Sequence, residues 1–202
     1  MAEVIIVREC KYGQVRVCFG NVSRVEGDVM VLPANNRLAG REGLDEVMQL
    51  VAGPELREAC TAIAKEKRKT NSQPCGVGEA VTTSAYNLPA EHLVHVVGPD
   101  CRRPNQDDAR RELLPETYVN LFVTLKEMKD IKSIVSPPVS MGIFSYPHRE
   151  GARKTLEMLL NALDGEEDPG FCEFTLVVKE KNFINNLRTV YREGEDQMPG
   201  ID

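Results

Sequence analysis

Val31-Leu32-Pro33-Ala34-Asn35-Asn36 is an apolar run that stops on two asparagines, and Gly40-Arg41-Glu42-Gly43-Leu44-Asp45 follows it into an amphipathic stretch. Such a run is what a strand buried on both faces requires. Leu44, Val47, Met48 and Val51 then recur at helical spacing, so the segment reads as strand, turn and helix. A second run, Ser133-Ile134-Val135-Ser136-Pro137-Pro138-Val139, delivers Ser140-Met141-Gly142-Ile143-Phe144 ahead of another helix. Backbone N–H groups at helix N-termini form anion sites, and glycine lets a chain approach a ligand closely. In an open α/β sheet these turns lie at the carboxyl ends of the strands, where ligands bind. The two turns together predict a pocket for a nucleotide-like, phosphate-bearing ligand.

Outward from these turns the chain alternates strands and helices. Val4–Arg8 and Val15–Phe19 read as a hairpin, Val29–Pro33 as a buried strand, and Pro54 is well placed to open a second helix bearing Leu56, Cys60 and Ile63. Ala80–Thr83 and Leu93–Val97 read as strands, and a helix carries Leu114, Tyr118, Leu121, Phe122 and Leu125. Ile131–Val135, helix Glu150–Leu163, strand Phe174–Val178 and helix Asn182–Arg192 complete the series. This order predicts an α/β fold, a three-layer α/β/α sandwich around a central mixed sheet, formed by residues 1–192 as one domain. Residues 193–202, rich in acid, Gly and Pro, are expected to form a disordered tail.

With 42% hydrophobic and 28% charged residues the composition is that of an ordinary soluble domain. A net charge of −6 argues against a general nucleic-acid surface, so RNA is a disfavoured partner. Lys65, Lys67, Arg68 and Lys69 cluster near one helix end, where cations are favoured and a solvated face is the plain reading. The six cysteines include no Cys-x-x-Cys pair. No leader-like segment follows Met1 and no apolar run is long enough to cross a bilayer. Free thiols in the cytoplasm, with the nucleus as the open alternative, and no membrane partner are therefore expected.

At its two turns the sequence resembles the macrodomain family of ADP-ribose-binding modules, from about Val15 to about Tyr191. The strand-turn motif V-N-A-A-N looks like Val31-Leu32-Pro33-Ala34-Asn35, and G-D-I matches Gly20-Asn21-Val22. The loop G-G-G-V-D falls on Arg41-Glu42-Gly43-Leu44-Asp45. The segments A-G-P-E-L at Ala52–Leu56, G-E-A at Gly78–Ala80, Y-N-L-P at Tyr86–Pro89 and H-x-V-G-P at His95–Pro99 are unchanged. The second ligand loop appears as Pro138-Val139-Ser140-Met141-Gly142-Ile143-Phe144-Ser145-Tyr146-Pro147.

The resemblance implies a macrodomain-like fold, no cofactor and no metal, and ADP-ribose or an ADP-ribosylated protein as partner. It implies binding with or without slow hydrolysis of ADP-ribosyl bonds; the alternative is a degenerate member serving as a non-catalytic protein- or RNA-interaction module. Residue by residue, it places Asn21 at the adenine, accepting through its side-chain oxygen, with the Val22 backbone beside it. Ala34 and Asn35 fall at the strand turn, with Asn35 bonding the distal ribose. Gly43, Leu44 and the turn of Val139, Ser140, Met141, Gly142, Ile143 and Phe144 cradle the diphosphate, and the Phe144 ring packs on that ribose. Asn35 and Asp45 become the catalytic candidates, Asp45 positioning water. Its place at a helix start favours the charged carboxylate.

Three departures from the family pattern, at the adenine residue, the strand turn and the first loop, bear on activity. Asn21 stands for an aspartate, Leu32 for an asparagine and Pro33 for an alanine, while Arg41 and Glu42 replace two glycines. If the loop needs φ > 0 the last two are strained; Glu42 would repel a diphosphate and Arg41 could pair with it. His95 reads as a core histidine, and His92 and His148 are too scattered for zinc.

Overall fold

The computed structural model describes residues 1–103 and 107–197. Strands β1 (Glu3–Cys10) and β2 (Gly13–Phe19) form an antiparallel hairpin, and β3 (Val29–Pro33) leads to helices α1 (Gly43–Ala52) and α2 (Pro54–Lys69). Strands β4 (Ala80–Ser84) and β5 (His92–Val96) are antiparallel, followed by α3 (Asp107–Arg111) and α4 (Leu113–Glu127). Strand β6 (Ser133–Ser136), α5 (His148–Asp164), β7 (Glu173–Val178) and α6 (Lys181–Gln197) complete the order. The sheet runs β1-β2-β7-β6-β3-β5-β4. Pairs β2/β7, β7/β6, β6/β3 and β3/β5 are parallel, so the sheet is mixed.

Alternation along the central strands feeds two apolar layers. Val29 and Val31 of β3, Ile134 of β6, and Phe174, Leu176 and Val178 of β7 face a core built with α4, α5 and α6. Met30 and Leu32, Val135 and Val177 face the opposite core, with Met48 and Ala52 of α1 and Leu56 and Cys60 of α2. This two-sided burial is the physical reason for the unbroken apolar runs, and it makes the expected α/β/α sandwich. Each large core side chain matters to its stability; truncating a fully buried leucine such as Leu121 to alanine costs roughly 2–5 kcal/mol.

Two local differences have clear causes. Helix α6 continues to Gln197, so Glu193 to Gln197 are helical where a tail is expected from sequence. The apolar face carrying Phe183, Ile184, Leu187 and Val190 is docked on the core, and docking extends the helix past its strong periodicity. The rest of that expected tail, residues 198–202, lies outside the described residues. Pro33 sits in a central strand, yet it breaks no ladder. Ala34 donates to the Val96 carbonyl across β5 at 2.8 Å, so the preceding residue's nitrogen points the other way, toward β6. Pairing with β6 has already ended at Met30 and Val135. The strands part there, and the gap opens a cavity.

Candidate functional site

The cavity, about 440 Å³, lies at the carboxyl ends of β3, β6 and β7, the edge where a parallel sheet leaves room for ligands. Its walls include Asn21, Val22, Ala34, Asn35, Gly43, Leu44, Asp45, Ser140, Met141, Gly142, Ile143 and Phe144. Thus all but one of the candidates named from sequence line one space. The exception is Val139, whose side chain is fully buried in the core. At Gly98 an added Cβ would lie 2.5 Å from Val139 Cγ1 and 2.2 Å from Ser140 Oγ. Strand end and loop therefore touch too closely for any side chain at position 98, and Val139 is the inward anchor of the loop rather than a ligand contact.

The first wall is the turn after β3. Asn35 Oδ1 accepts from the backbone N–H groups of Arg37 and Ala39 at 3.1 and 3.2 Å, which fixes the turn and leaves the side-chain NH₂ for another partner. Leu38, Gly40 and Gly43 take positive φ, whereas Glu42 is extended at φ −139. The strain expected at Arg41 and Glu42 does not arise, because neither adopts positive φ. At Gly43, φ is +56 and a Cβ would stand 2.9 Å from Ile143 Cδ1, so glycine is retained where the two loops meet. The N-terminus of α1 has no side-chain cap, leaving its first N–H groups open to an anion.

Glu42 is directed across the cavity mouth: its Oε2 lies 3.7 Å from Arg102 Nη1. Arg102 also pairs with Asp100 at 2.6 Å and lies over the Phe144 ring at 5.4 Å from its centroid. This guanidinium holds the Asp100 carboxyl below its ordinary range and partly neutralises Glu42, reducing the repulsion expected from sequence. Arg41 does not line this cavity. It lines a neighbouring groove, so the expected pairing of Arg41 with a diphosphate in the cavity is not supported by its position.

Asp45 is buried, and its Oδ1 has no hydrogen-bond partner among the described residues. Burial pushes its pKa up to about 6, against the opposing effects of the Gln49 side chain, the Arg57 charge and the Gly40 backbone. The sequence argument from the helix N-terminus pointed the other way, and desolvation outweighs it. At neutral pH the carboxylate is still mostly ionised, and it is a stronger base than an ordinary aspartate. Behind it, Gln49 donates from Nε2 to Cys60 Sγ at 3.7 Å.

The second wall follows β6. Ser140 adopts φ +65, and Tyr146 N–H donates to its carbonyl at 3.0 Å. Its hydroxyl is buried and, among the described residues, unpartnered. An added Cβ at Gly142 would meet nothing within 4 Å, so this glycine faces open space rather than packed protein. His148 secures the loop from outside. Asn182 Nδ2 approaches His148 Nδ1 at 2.9 Å, and His148 Nε2 lies 2.8 Å from the Met141 carbonyl. An amide NH₂ can only donate and a carbonyl only accept, which assigns the ring proton to Nε2.

At the far end Asn21 caps a short 3₁₀ turn, Val22–Arg24, with Oδ1 accepting from Ser23 N–H at 3.1 Å and Ser23 Oγ at 2.8 Å. Both lone pairs of that oxygen are used, so Asn21 offers a ligand N–H donors and not the acceptor expected from sequence. Sequence reasoning also missed Gly98, the Pro137–Pro138 step and the Val177–Glu180 edge with Phe183, all of which line the cavity. A buried parallel strand ending at Val178 was the available signal; its place beside β6 was not. Elsewhere, His95 is a buried core residue whose pKa falls to about 4 through desolvation, and burial lifts the Cys75 thiol to about 12, which rules it out as a thiolate nucleophile near neutrality. Among the described residues no cluster of His, Cys, Asp and Glu is suited to a metal.

The family model described as Macro domain matches residues 31–155. The O-acetyl-ADP-ribose deacetylase of Cronobacter sakazakii is 30% identical over 188 residues, covering 93% of this chain and 98% of that protein. That of Escherichia fergusonii is 29% identical over 183 residues, 91% of this chain and 98% of its own length. Among solved structures, the Oceanobacillus iheyensis macrodomain with ADP aligns at TM-score 0.86 and 25% identity, over 98% of this chain and all of that one. The Trypanosoma brucei macrodomain in complex with ADP-ribose aligns at TM-score 0.70 and 24% identity, over 88% of this chain and 68% of that one, a likeness of fold.

Proposed function

The chain belongs to the macrodomain family, and from that premise we propose that it binds ADP-ribose and slowly hydrolyses a bond to the distal ribose. The observation that carries this reading is one cavity lined by two buried polar residues, Asp45 and Ser140, each with an oxygen that has no partner among the described residues, beside a helix N-terminus without a side-chain cap. Buried polar atoms are nearly always hydrogen-bonded, so a ligand rich in hydroxyl and phosphate groups is the natural completion.

In this arrangement the base lies toward Asn21 and Val22. The diphosphate lies between the Gly43–Leu44 N–H groups and the Ser140–Ile143 loop, and the distal ribose lies near Asn35, Asp45 and Phe144. Asn35 donates to a ribose hydroxyl while its oxygen holds the turn. For an ester on that ribose, the Asp45 carboxylate takes a proton from a water that adds to the ester carbonyl. The proton then returns to the ribose oxygen as the carboxylic acid departs. The reactive form is ionised Asp45, so turnover rises through about pH 6 and levels off above it. O-acetyl-ADP-ribose, the substrate for which the deacetylase relatives are named, is the first compound to test.

A second reading, binding without turnover, is favoured by the Arg102–Glu42 contact across the mouth, which narrows access for a bulky substrate. Calorimetric titration with ADP-ribose beside AMP and oligoadenylate, followed by acetate release from O-acetyl-ADP-ribose with Asp45→Asn as control, separates the two. ADP-ribose binding with Asp45-dependent acetate release supports hydrolysis, and binding with no release at any pH supports the passive module. No preference for ADP-ribose over AMP would remove both.

A further inference from the structure

A second groove, about 480 Å³, runs on the other side of the Asn35–Glu42 turn and shares Asn35 and Glu42 with the cavity. Arg37 and Arg41 on the turn face Arg57, Lys65 and Arg68 on α2 across it, against the single carboxylate of Glu42. In a chain of net charge −6, five cations in one groove are not background. Among the described residues, no carboxylate forms an ion pair with Arg37, Arg41, Lys65 or Arg68; the Glu42 carboxylate turns instead to Arg102. Arg57 donates to the carbonyls of Ala39 and Gly40, so it also fastens the turn that separates groove from cavity. Arg57 and Arg68 lie eleven residues apart on α2, about 16 Å along one helix face. That span is longer than one diphosphate and suits a row of separate phosphates.

We propose that this groove is an anion subsite for the group attached to the distal ribose, and that it receives the phosphates of a single-stranded nucleic-acid end carrying the ADP-ribosyl group. The proposal rests on the preceding reading, which puts the distal ribose at Asn35, the residue common to both spaces. Among the described residues no aromatic ring lines the groove, so the contact is to backbone phosphate and is indifferent to base sequence. Anchoring by the ADP-ribosyl group raises the local concentration of the strand, so modest charge attraction is enough. The acidic remainder of the surface disfavours untethered nucleic acid.

The test is a set of titrations with ADP-ribose, an ADP-ribosylated single-stranded oligonucleotide and an ADP-ribosylated uncharged peptide. Each is run on the wild type and on Lys65→Glu/Arg68→Glu, whose altered side chains are exposed and outside the cavity. At low salt the oligonucleotide should bind about tenfold tighter than ADP-ribose, the advantage fading with salt as expected for roughly three phosphate contacts. The charge reversal should erase that advantage and leave ADP-ribose affinity unchanged. Equal binding of oligonucleotide and peptide by the wild type, or an advantage that survives the charge reversal, overturns the proposal. A two-unit ADP-ribose chain gaining as much as the oligonucleotide would overturn the nucleic-acid assignment. Failure of ADP-ribose itself to bind the wild type would show instead that the preceding reading has failed.

Discussion

The two loops that wall the cavity are built in opposite ways. The loop after β6 is held from outside: Val139 is in the core, Gly98 admits its close approach, and His148 contacts the Met141 carbonyl. The loop after β3 is held from within, by Asn35 Oδ1 on two backbone N–H groups and by Arg57 on two carbonyls. An externally braced loop can leave its inner surface, Gly142 above all, free for a ligand. The loop braced from within spends a candidate ligand group, the Asn35 oxygen, on itself, and tolerates Arg41 and Glu42 because Arg41 lines the neighbouring groove and the Glu42 carboxylate at the cavity mouth is paired with Arg102. The difference explains how one loop could be remodelled in sequence while the site kept its shape.

The largest expected effect tests whether the loop after β3 delivers chemistry as well as shape. Asp45→Asn should lower acetate release from O-acetyl-ADP-ribose by about 10²–10⁴-fold, the usual worth of a general base, and flatten the rise near pH 6. The same variant has a stability signature. Asp45 is harder to ionise when folded than when unfolded, since its pKa is about 6 against 3.8. The protonated form is therefore the stable folded form below pH 4, and wild-type stability is lost as pH rises through about 6. Thermal unfolding should show Asp45→Asn more stable than wild type at pH 8 by about 3 kcal/mol and equal to it near pH 3. Equal stability at both pH values would mean that Asp45 is not desolvated.

Gly142→Glu tests the other loop. Its Cβ meets no protein atom, so the fold should survive, seen as an unchanged melting temperature. ADP-ribose affinity should drop by about a hundredfold or more, because charge and bulk occupy the phosphate position. Tight binding in a folded variant would move the diphosphate elsewhere.

Asn35→Ala sharpens the contrast between the two braces. It removes both a ligand donor and the bracing oxygen, so calorimetry should show a loss of about 1–3 kcal/mol in binding and thermal unfolding a loss of about 1 kcal/mol in stability. Loss of binding with unchanged stability would mean that the internal brace is unimportant. The smallest effect is a gain. Asn21→Asp keeps an oxygen on Ser23 and frees a second one for the base amino group, so affinity for ADP-ribose should rise by roughly 1 kcal/mol. A fall in affinity would place the base away from Asn21.

The sequence made some features plain because they are local. The unbroken apolar run through Met30, Val31 and Leu32, which feeds the two cores in turn, required a central strand, the glycines at 43 and 142 marked turns, and the order of elements implied the layered sandwich. Other features depend on what comes near in space, which no local pattern encodes. Asp45 looked charged because a helix start favours anions; packing raised its pKa by removing water. Asn21 looked like an acceptor until Ser23 claimed its oxygen. Helix α6 looked shorter until its apolar face found the core. The cluster Lys65 to Lys69 looked like a solvated helix end, and Lys65 and Arg68 became one wall of a groove when the Asn35–Glu42 turn brought Arg37 and Arg41 opposite them. Charge, protonation and hydrogen-bond polarity depend on distance and dielectric, and both are set only when the chain has folded.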